Sequence, residues 1–193
     1  NIAINAGKSI SQKPGFTGFN PLMVYGGVGQ GKTHLLHAIG NQIKLSKNDN
    51  RIIYVSSEKF TSEFISALKN NSLENFTNYY MSLDTLLIDD VQFLYGKEKT
   101  QEIFFHIFNH LNLNKKQIII SSDRSPRELD GLEKRLVSRF KWGLTVELEK
   151  PNFETRKKIL KEKLSSNNIK LSEEIIDYIS FEVNTNIREL EGI

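Results

Sequence analysis

The segment of residues 26–33, with the sequence GGVGQGKT, constrains the fold more than any other part of the chain. It satisfies the pattern G-x-x-x-x-G-K-[ST], whose glycines allow successive backbone N–H groups to turn inward around a phosphate. An apolar run over residues 22–25 precedes it, and residues 32–45 follow with the apolar spacing of a helix. A glycine-rich turn without special function is the alternative, but a strand, loop and helix in this order indicate an α/β nucleotide-binding fold.

Each part of this loop has a predicted role toward a nucleotide. The backbone at Gly27, Gly29 and Gly31 would surround the phosphates, and the following helix would direct its positive end at the same anion. Lys32 would bring a positive charge to the β- and γ-phosphates. The Thr33 hydroxyl would ligate Mg²⁺.

Two adjacent acids, Asp89 and Asp90, follow the apolar run of residues 83–88. Ligands of open α/β sheets bind at the carboxyl ends of the strands, where this run delivers both acids. Asp89 would hold Mg²⁺, and Asp90 would orient the attacking water. Aspartate is shorter than glutamate, so we expect slow hydrolysis. The alternative is a pair of surface turn residues.

Short apolar runs alternate with helical patterns over residues 1–150. The runs cover residues 22–25, 52–55, 83–88, 117–121 and 144–148. Continuous apolar strands are typical of a parallel sheet covered on both faces, so a three-layer αβα domain is predicted. After Pro151 only helical patterns remain, with Asn152 and Ser172 as predicted N-caps. We therefore expect a nucleotide-binding domain over residues 1–150 and the start of a small all-helical domain over residues 151–193.

Composition excludes several classes of protein. The chain contains no cysteine, which removes disulfides, thiolate metal sites and cysteine nucleophiles. No apolar run approaches the roughly 18 residues that span a bilayer. The formal net charge of +3 is too small to indicate nucleic-acid binding by itself, because local patches matter more than the sum. Since the chain starts without an initiator methionine, we expect it to be a piece of a longer protein.

Three charged residues later in the chain have two interpretations each. Asp123 follows the fourth apolar run, where a polar residue can sense the γ-phosphate, but an N-cap or turn role is equally consistent. Arg135 and Arg139 lie four residues apart and therefore share a helix face. Arginines on a helix are usually solvated. Here they precede the sequence FKWG before the last apolar run, at the predicted far edge of the sheet and a predicted subunit surface.

Several longer motifs make the resemblance of this chain specific. They are NPL at residues 20–22, YGGVG at 25–29, GKTHL at 31–35, LIDDVQF at 87–93, SDR at 122–124, SRF at 138–140, WGL at 142–144 and NIRELEG at 186–192. Together they resemble the AAA+ ATPase domain of the DnaA family of bacterial replication initiators over nearly the whole chain. The resemblance implies a P-loop NTPase fold with a helical lid that continues beyond residue 193.

The resemblance also implies roles that residue patterns alone do not give. His34 joins the residues that bind ATP or ADP, and Asp123 is similar to the family's sensor 1. Arg139 resembles the arginine finger that reaches ATP in the neighbouring subunit. Arg135 resembles a nearby arginine that takes part in subunit assembly. Arg188 resembles the sensor 2 arginine of the lid, which distinguishes ATP from ADP. A planar guanidinium suits these roles because it matches phosphate oxygens.

A double-helix insertion is predicted between the second and third strands, over residues 58–70 and 72–82. It resembles the family element that grips single-stranded DNA in a filament, and Ile65, Lys97 and Lys99 match its strand-contacting positions. Solvated lysines are the alternative for the last two. The resemblance further implies self-assembly, duplex DNA binding through a domain outside this chain, contact with the replicative helicase and regulators, and a bacterial cytoplasmic location at the nucleoid.

Three functional classes follow from the sequence. The first is an ATP-dependent replication initiator that forms a filament on origin DNA and opens the strands, with slow hydrolysis as its off-switch. The second is an AAA+ helicase loader or a regulatory relative with the same ATP site. The third is an ordinary P-loop kinase or motor. The insertion argues against a loader, and the paired Arg139 and Arg188 argue against a kinase.

Overall fold

The computed structural model describes residues 2–46 and 49–183. The strands of this part are β1 Leu22–Tyr25, β2 Ile52–Ser56, β3 Thr85–Asp89, β4 Gln117–Ser122 and β5 Leu144–Glu147. Its α-helices are α1 Ile2–Gln12, α2 Lys32–Ser46, α3 Ser57–Lys69, α4 Leu73–Met81, α5 Glu98–Leu113, α6 Lys134–Phe140, α7 Phe153–Ser166 and α8 Glu173–Glu182. A 3₁₀ turn, Val91–Leu94, follows β3. Among these helices, none has the length and apolar character of a membrane-spanning segment.

All five strands are parallel and form one sheet in the order β2-β3-β4-β1-β5. The predicted parallel sheet is therefore confirmed, with strand bounds that differ from the expected runs by at most two residues. The register pairs Ile88 of β3 with Ile120 of β4, and Val24 of β1 with Ser121 of β4. The carboxyl ends of parallel strands share one edge of the sheet. The phosphate loop therefore starts at the same edge at which Asp89 and Asp123 lie.

Alternate residues of the central strands line the two faces of the sheet. Met23, Ile88 and Ile120 belong to a buried core with the phenylalanines of α3 and α5. Leu87 lies on the opposite face and packs against α2. Its two methyl carbons are 3.4 and 3.5 Å from the point that a Cβ atom at Gly40 would occupy. Helices therefore cover both faces, as continuous apolar strands require.

Helices α3 and α4 form the predicted insertion between β2 and β3, with bounds that differ from the expected ranges by one residue. Phe60 lies at its centre, with ring centroids 5.3 Å from Phe76, 5.0 Å from Tyr80 and 5.5 Å from Phe104 of α5. Aromatic rings at these centroid distances typically pack in offset or edge-to-face arrangements. Such aromatic side chains contribute much of the apolar area that a core buries. Tyr80 and Phe104 are fully buried in this packing, whereas the neighbouring Tyr79 is 52% exposed.

The chain divides into two compact units, Asn1–Gly26 with Lys32–Glu147, and Gly27–Gly31 with Leu148–Ile193. Within the second unit, α7 and α8 pack through Leu160 and Ile176. The predicted N-caps are confirmed, because the Asn152 side chain accepts a hydrogen bond from the backbone N–H of residue 155 at 2.9 Å and Ser172 accepts one from residue 175 at 3.4 Å. Residues 184–193, at the end of the predicted helical domain, lie outside the described residues.

Candidate nucleotide site

The phosphate loop connects β1 to α2 and contains two residues in the left-handed region. Gly29 has φ +74° and Gly31 has φ +90°. Glycine adopts these angles without the steric penalty that a Cβ atom imposes. Substitution of either glycine would therefore strain the loop, independently of any ligand.

The first two residues of α2 point in two directions from the end of the loop. Lys32 is only 8% exposed, and its Nζ atom donates a hydrogen bond to the backbone oxygen of Gly26 at 2.8 Å. The Thr33 hydroxyl donates to Oδ2 of Asp89 at 2.7 Å. The two predicted parts of the site, the loop–helix junction and the acid-bearing strand, are thus in direct contact.

Asp89 is the last residue of β3 and is 3% exposed. Its Oδ2 atom accepts hydrogen bonds from Thr33 and from the Tyr54 hydroxyl, both at 2.7 Å, and its Oδ1 atom accepts one from Ser121. Its backbone oxygen accepts a hydrogen bond from the Ser57 hydroxyl at 3.0 Å. Burial raises the pKa of Tyr54, and the hydrogen bond to Asp89 raises it further, so the phenol keeps the proton that it donates.

The side-chain oxygen atoms of Thr33 and Asp89 suit Mg²⁺, which prefers oxygen ligands. Among the described residues, no group of three or more histidines, cysteines and acids could hold a metal ion. Mg²⁺ in nucleotide sites is held by one or two carboxylates together with substrate phosphates and waters. A single carboxylate beside a phosphate loop fits that pattern.

Asp90 adopts the left-handed conformation, with φ 57° and ψ 58°. Aspartate tolerates this region better than most side chains do. Its N–H donates to the Ser121 hydroxyl at 2.8 Å, and its Oδ1 atom accepts from Nε2 of Gln92 at 3.0 Å. Gln92 also accepts a hydrogen bond from the backbone N–H of Asp123 at 3.3 Å. Gln92 therefore connects the predicted water-orienting acid to the predicted sensor.

Asp123 directly follows β4 beside β3, as predicted. Its carboxylate accepts hydrogen bonds from Nε and Nη2 of Arg124, both at 2.9 Å. These bonds lower the pKa of Asp123, and the positive charge of Lys32 lowers it further. The next described helix begins at Lys134, so Asp123 is not a helix N-cap. The ion pair with Arg124 and the charge of Lys32 both favour the ionised form of this carboxylate.

Arg135 and Arg139 lie on α6, which precedes the edge strand β5. The guanidinium carbon of Arg139 is 4.4 Å from the centre of the Trp142 ring, and that of Arg135 is 4.5 Å from the Phe105 ring. Arg135 also forms an ion pair with Glu133. Both arginines therefore have aromatic partners, contrary to the interpretation as purely solvated charges.

The structure brings Ile65, Lys97 and Lys99 together. They border a groove of about 370 Å³ between α3 and the start of α5, and Ile65 is 44% exposed. The other residues of its lining are Thr61, Phe64, Leu68, Gly96, Glu98 and Thr100. An apolar side chain and two lysines thus share one accessible surface.

Two further predicted residues have no part in the contacts described above. His34 is exposed on the first turn of α2, and Arg188 lies outside the described residues. Sequence reasoning missed Tyr54, Ser121 and the bridging role of Gln92. A polar atom within the apolar runs of β2 and β4 is the signal that could have indicated the first two.

Comparisons with known proteins agree with the geometry. The family of the bacterial DnaA ATPase domain matches residues 1–147. The chromosomal replication initiator protein DnaA of Chlorobaculum tepidum is 48% identical over 192 residues, which are 100% of this chain and 39% of that protein.

Two solved structures are similar along the whole chain. A replication initiator DnaA bound to AMPPCP and single-stranded DNA is 48% identical, with a TM-score of 0.90, and the match covers 100% of this chain and 59% of that one. Domain III of the Thermotoga maritima replication initiation protein DnaA is 44% identical, with a TM-score of 0.95, and the match covers 99% and 79%. The chain spans about two fifths of the length of the curated relatives it matches. With this family match and these relatives, the chain belongs to the bacterial DnaA ATPase domain family.

Proposed function

We propose that this domain is the ATP-dependent assembly switch of a bacterial chromosomal replication initiator. ATP binding would join subunits into a filament on origin DNA and open the strands, and slow hydrolysis would end the active state. The observation that carries the proposal is the groove in which the insertion places Ile65 beside Lys97 and Lys99. A helicase loader with the same ATP site would not need this surface.

The phosphate loop and the start of α2 bind the nucleotide in this proposal. Gly27, Gly29 and Gly31 let the loop surround the phosphates, and Lys32 exchanges its hydrogen bond to Gly26 for phosphate oxygens. His34 contributes from the exposed first turn of the helix. The similar structure that was solved with AMPPCP supports nucleotide binding.

Thr33 and Asp89 would hold Mg²⁺ in the same site. When bound there, the ion would supply positive charge that neutralises the phosphates. Asp90 would orient the attacking water, with its own carboxylate held by Gln92. Asp123 would respond to the γ-phosphate through its electrostatic link to Lys32. An aspartate at position 90 reaches less far than a glutamate, so we expect slow turnover and a domain that acts mainly as a switch.

Assembly would depend on Arg139, which would contact ATP bound to the neighbouring subunit, with Arg135 supporting the same interface. The proposed helical lid, residues 151–193, would bring Arg188 to the nucleotide of its own subunit. ATP and ADP differ by the phosphate that both arginines would contact. Differential contacts of this kind shift an equilibrium by about 1–3 kcal/mol for each coupled site.

Single-stranded DNA would bind along the groove of each subunit, with the lysines at phosphates and Ile65 against the strand. Two lysine contacts per subunit are weak alone and add along a filament. A relative solved with single-stranded DNA supports this partner. Duplex DNA binding, contact with the replicative helicase and regulators, and a cytoplasmic location at the nucleoid complete the proposal for the whole protein.

Sedimentation of the protein with ATP, with ADP and with single-stranded DNA tests the proposal. Wild-type protein should form large assemblies only with ATP, and more of them when DNA is present. Arg139→Ala should bind ATP with nearly unchanged affinity and remain monomeric. Assemblies of unchanged size in that variant would contradict the assigned role of Arg139, and equal assembly with ADP would contradict the switch.

A further inference from the structure

The geometry points to Tyr54 as a positioning residue that fixes the orientation of the Asp89 carboxylate and so determines how tightly the nucleotide site takes Mg²⁺. The inference rests on the proposed function, because it assumes that the site binds ATP together with the ion. Tyr54 does not touch the nucleotide in this assignment. It acts through Asp89.

The first argument is the saturation of one carboxylate oxygen. A carboxylate oxygen has two lone pairs, and Oδ2 of Asp89 accepts from both Thr33 and Tyr54 at 2.7 Å. Ser121 donates to the other oxygen. The terminal torsion of an aspartate side chain is broad by itself, so these bonds determine the plane of the carboxylate. Of the three hydroxyls of Thr33, Tyr54 and Ser121, that of Thr33 alone would still donate to Oδ2 after removal of the Tyr54 hydroxyl.

The second argument is that Tyr54 is itself held in place. The ring of His37 packs on it at a centroid distance of 4.0 Å and an angle of 35°. His37 and Thr33 are four residues apart on α2 and so share a helix face. One face of α2 thus contacts both the tyrosine ring and the carboxylate, which fixes the position of the phenol relative to Asp89.

The third argument is the place of the donor relative to the proposed ion. The Tyr54 hydroxyl donates to Oδ2 of Asp89 at 2.7 Å, and Asp89 is the proposed carboxylate ligand of Mg²⁺. Hydrogen-bond partners of metal-ligating carboxylates commonly change metal affinity by about 10- to 100-fold when removed. The Tyr54 hydroxyl is a hydrogen-bond partner of this kind, because the carboxylate that accepts its bond would ligate the proposed ion.

The test is a Mg²⁺ titration of nucleotide binding by wild-type protein and by Tyr54→Phe. At a fixed concentration of a fluorescent ATP analogue, the variant should need about 10-fold more Mg²⁺ for half-maximal binding. In EDTA, without the ion, both proteins should bind the analogue with equal affinity. This readout is binding and does not depend on hydrolysis.

Tyr80→Phe is the matched control. Its hydroxyl also donates to a carboxylate, Oε2 of Glu63 at 2.6 Å, but within the α3–α4 insertion and not at the nucleotide site. Its Mg²⁺ requirement should equal that of wild type. Ser121→Ala removes the donor to the other oxygen of Asp89, and it should raise the requirement as Tyr54→Phe does.

An unchanged Mg²⁺ requirement in Tyr54→Phe would overturn the inference while the proposed nucleotide function stands. Wild-type protein that fails to bind the analogue, or binds it equally well with and without Mg²⁺, would overturn the proposed function first and the inference with it. Should Tyr54→Phe not fold, His37→Ala keeps the hydroxyl and frees the ring. That variant must then show a higher Mg²⁺ requirement, and an unchanged value would overturn the inference.

Discussion

The guanidinium carbon of Arg139 lies 4.4 Å from the centre of the Trp142 ring, and 6.0 Å from that of Phe105. Trp142 is 63% exposed, so its ring offers one face to the arginine while much of it remains in solvent. A stacked guanidinium loses less rotamer freedom when it binds a phosphate than a free one does. The stacking therefore prepares Arg139 for the contact that we propose between subunits.

Trp142→Ala should weaken ATP-dependent assembly. Loss of an exposed cation–π contact corresponds to about 0.5–1 kcal/mol, or roughly a two- to fivefold weaker subunit association. ATP affinity should be unchanged, and Trp142→Phe should recover part of the loss. Sedimentation over a series of protein concentrations gives the association constant. Phe16→Ala, which removes an exposed ring that faces Lys115 instead, should assemble as wild type does.

Lys32→Ala should lose nucleotide binding. Hydrogen bonds to charged groups contribute about 1.5–3 kcal/mol each, so the dissociation constant for ATP should rise by at least about tenfold. Equilibrium binding of a fluorescent ATP analogue measures this change. Lys44→Ala, at the exposed far end of the same helix, is the control and should bind normally. Tight ATP binding by Lys32→Ala would refute the central assignment of the site.

The double variant Lys97→Ala with Lys99→Ala should bind single-stranded DNA more weakly and with less salt dependence. Each lost phosphate contact on a single strand lowers the slope of log affinity against log salt by about 0.7, so the slope should fall by about 1.4. Fluorescence anisotropy over a salt series in the presence of ATP measures it. Lys13→Ala, outside the groove, should keep the wild-type slope.

Asp84→Asn should reduce stability at neutral pH and leave it unchanged in acid. Burial alone would raise the pKa of Asp84, but hydrogen bonds from Lys116 at 2.7 Å and from the backbone N–H of Arg51 at 3.0 Å lower it below its ordinary value of 3.8. A lowered acid pKa stabilises the fold above the unfolded-state pKa, and this contribution disappears as pH falls through the folded-state value. Both partners are about one-third exposed, so screening limits the loss to about 1 kcal/mol or less.

Urea unfolding of wild type and Asp84→Asn at pH 7 and near pH 2 measures this difference. Asp130→Asn, which changes an exposed aspartate outside this ion pair, is the matched control for the loss of one carboxylate. A stability difference of Asp84→Asn that persists in acid would show that the carboxylate charge is not responsible.

The sequence predicted the central architecture because strong local signals agreed there. Apolar runs located the strands of the sheet, including the strand that ends at Asp89. The loop pattern located the start of α2, and the side chains of Asn152 and Ser172 correctly marked the starts of α7 and α8. Each of these features depends on residues that are neighbours in the chain.

Features that depend on distant residues were not predicted. The local helix α1 was also not predicted: its buried residues Ala3, Ala6, Gly7 and Ile10 have helical spacing, but Ile10 is the one large apolar residue among them. Tyr54 and Ser121 read as ordinary members of buried strands, and only the strand order β2-β3-β4 brings both hydroxyls to one carboxylate. The contacts of Arg135 and Arg139 with the Phe105 ring similarly required the packing of α5 against α6.

β2 ends at Ser56 and α3 begins at Ser57, with no residue between them. At its other end α3 is joined to α4 by residues 70–72. The first turn of α3 is also hydrogen-bonded to the backbone of Asp89 through Ser57. Because no residue separates β2 from α3, we expect a shift of the Asp89 backbone to be transmitted to the start of this helix, which also carries the exposed Ile65.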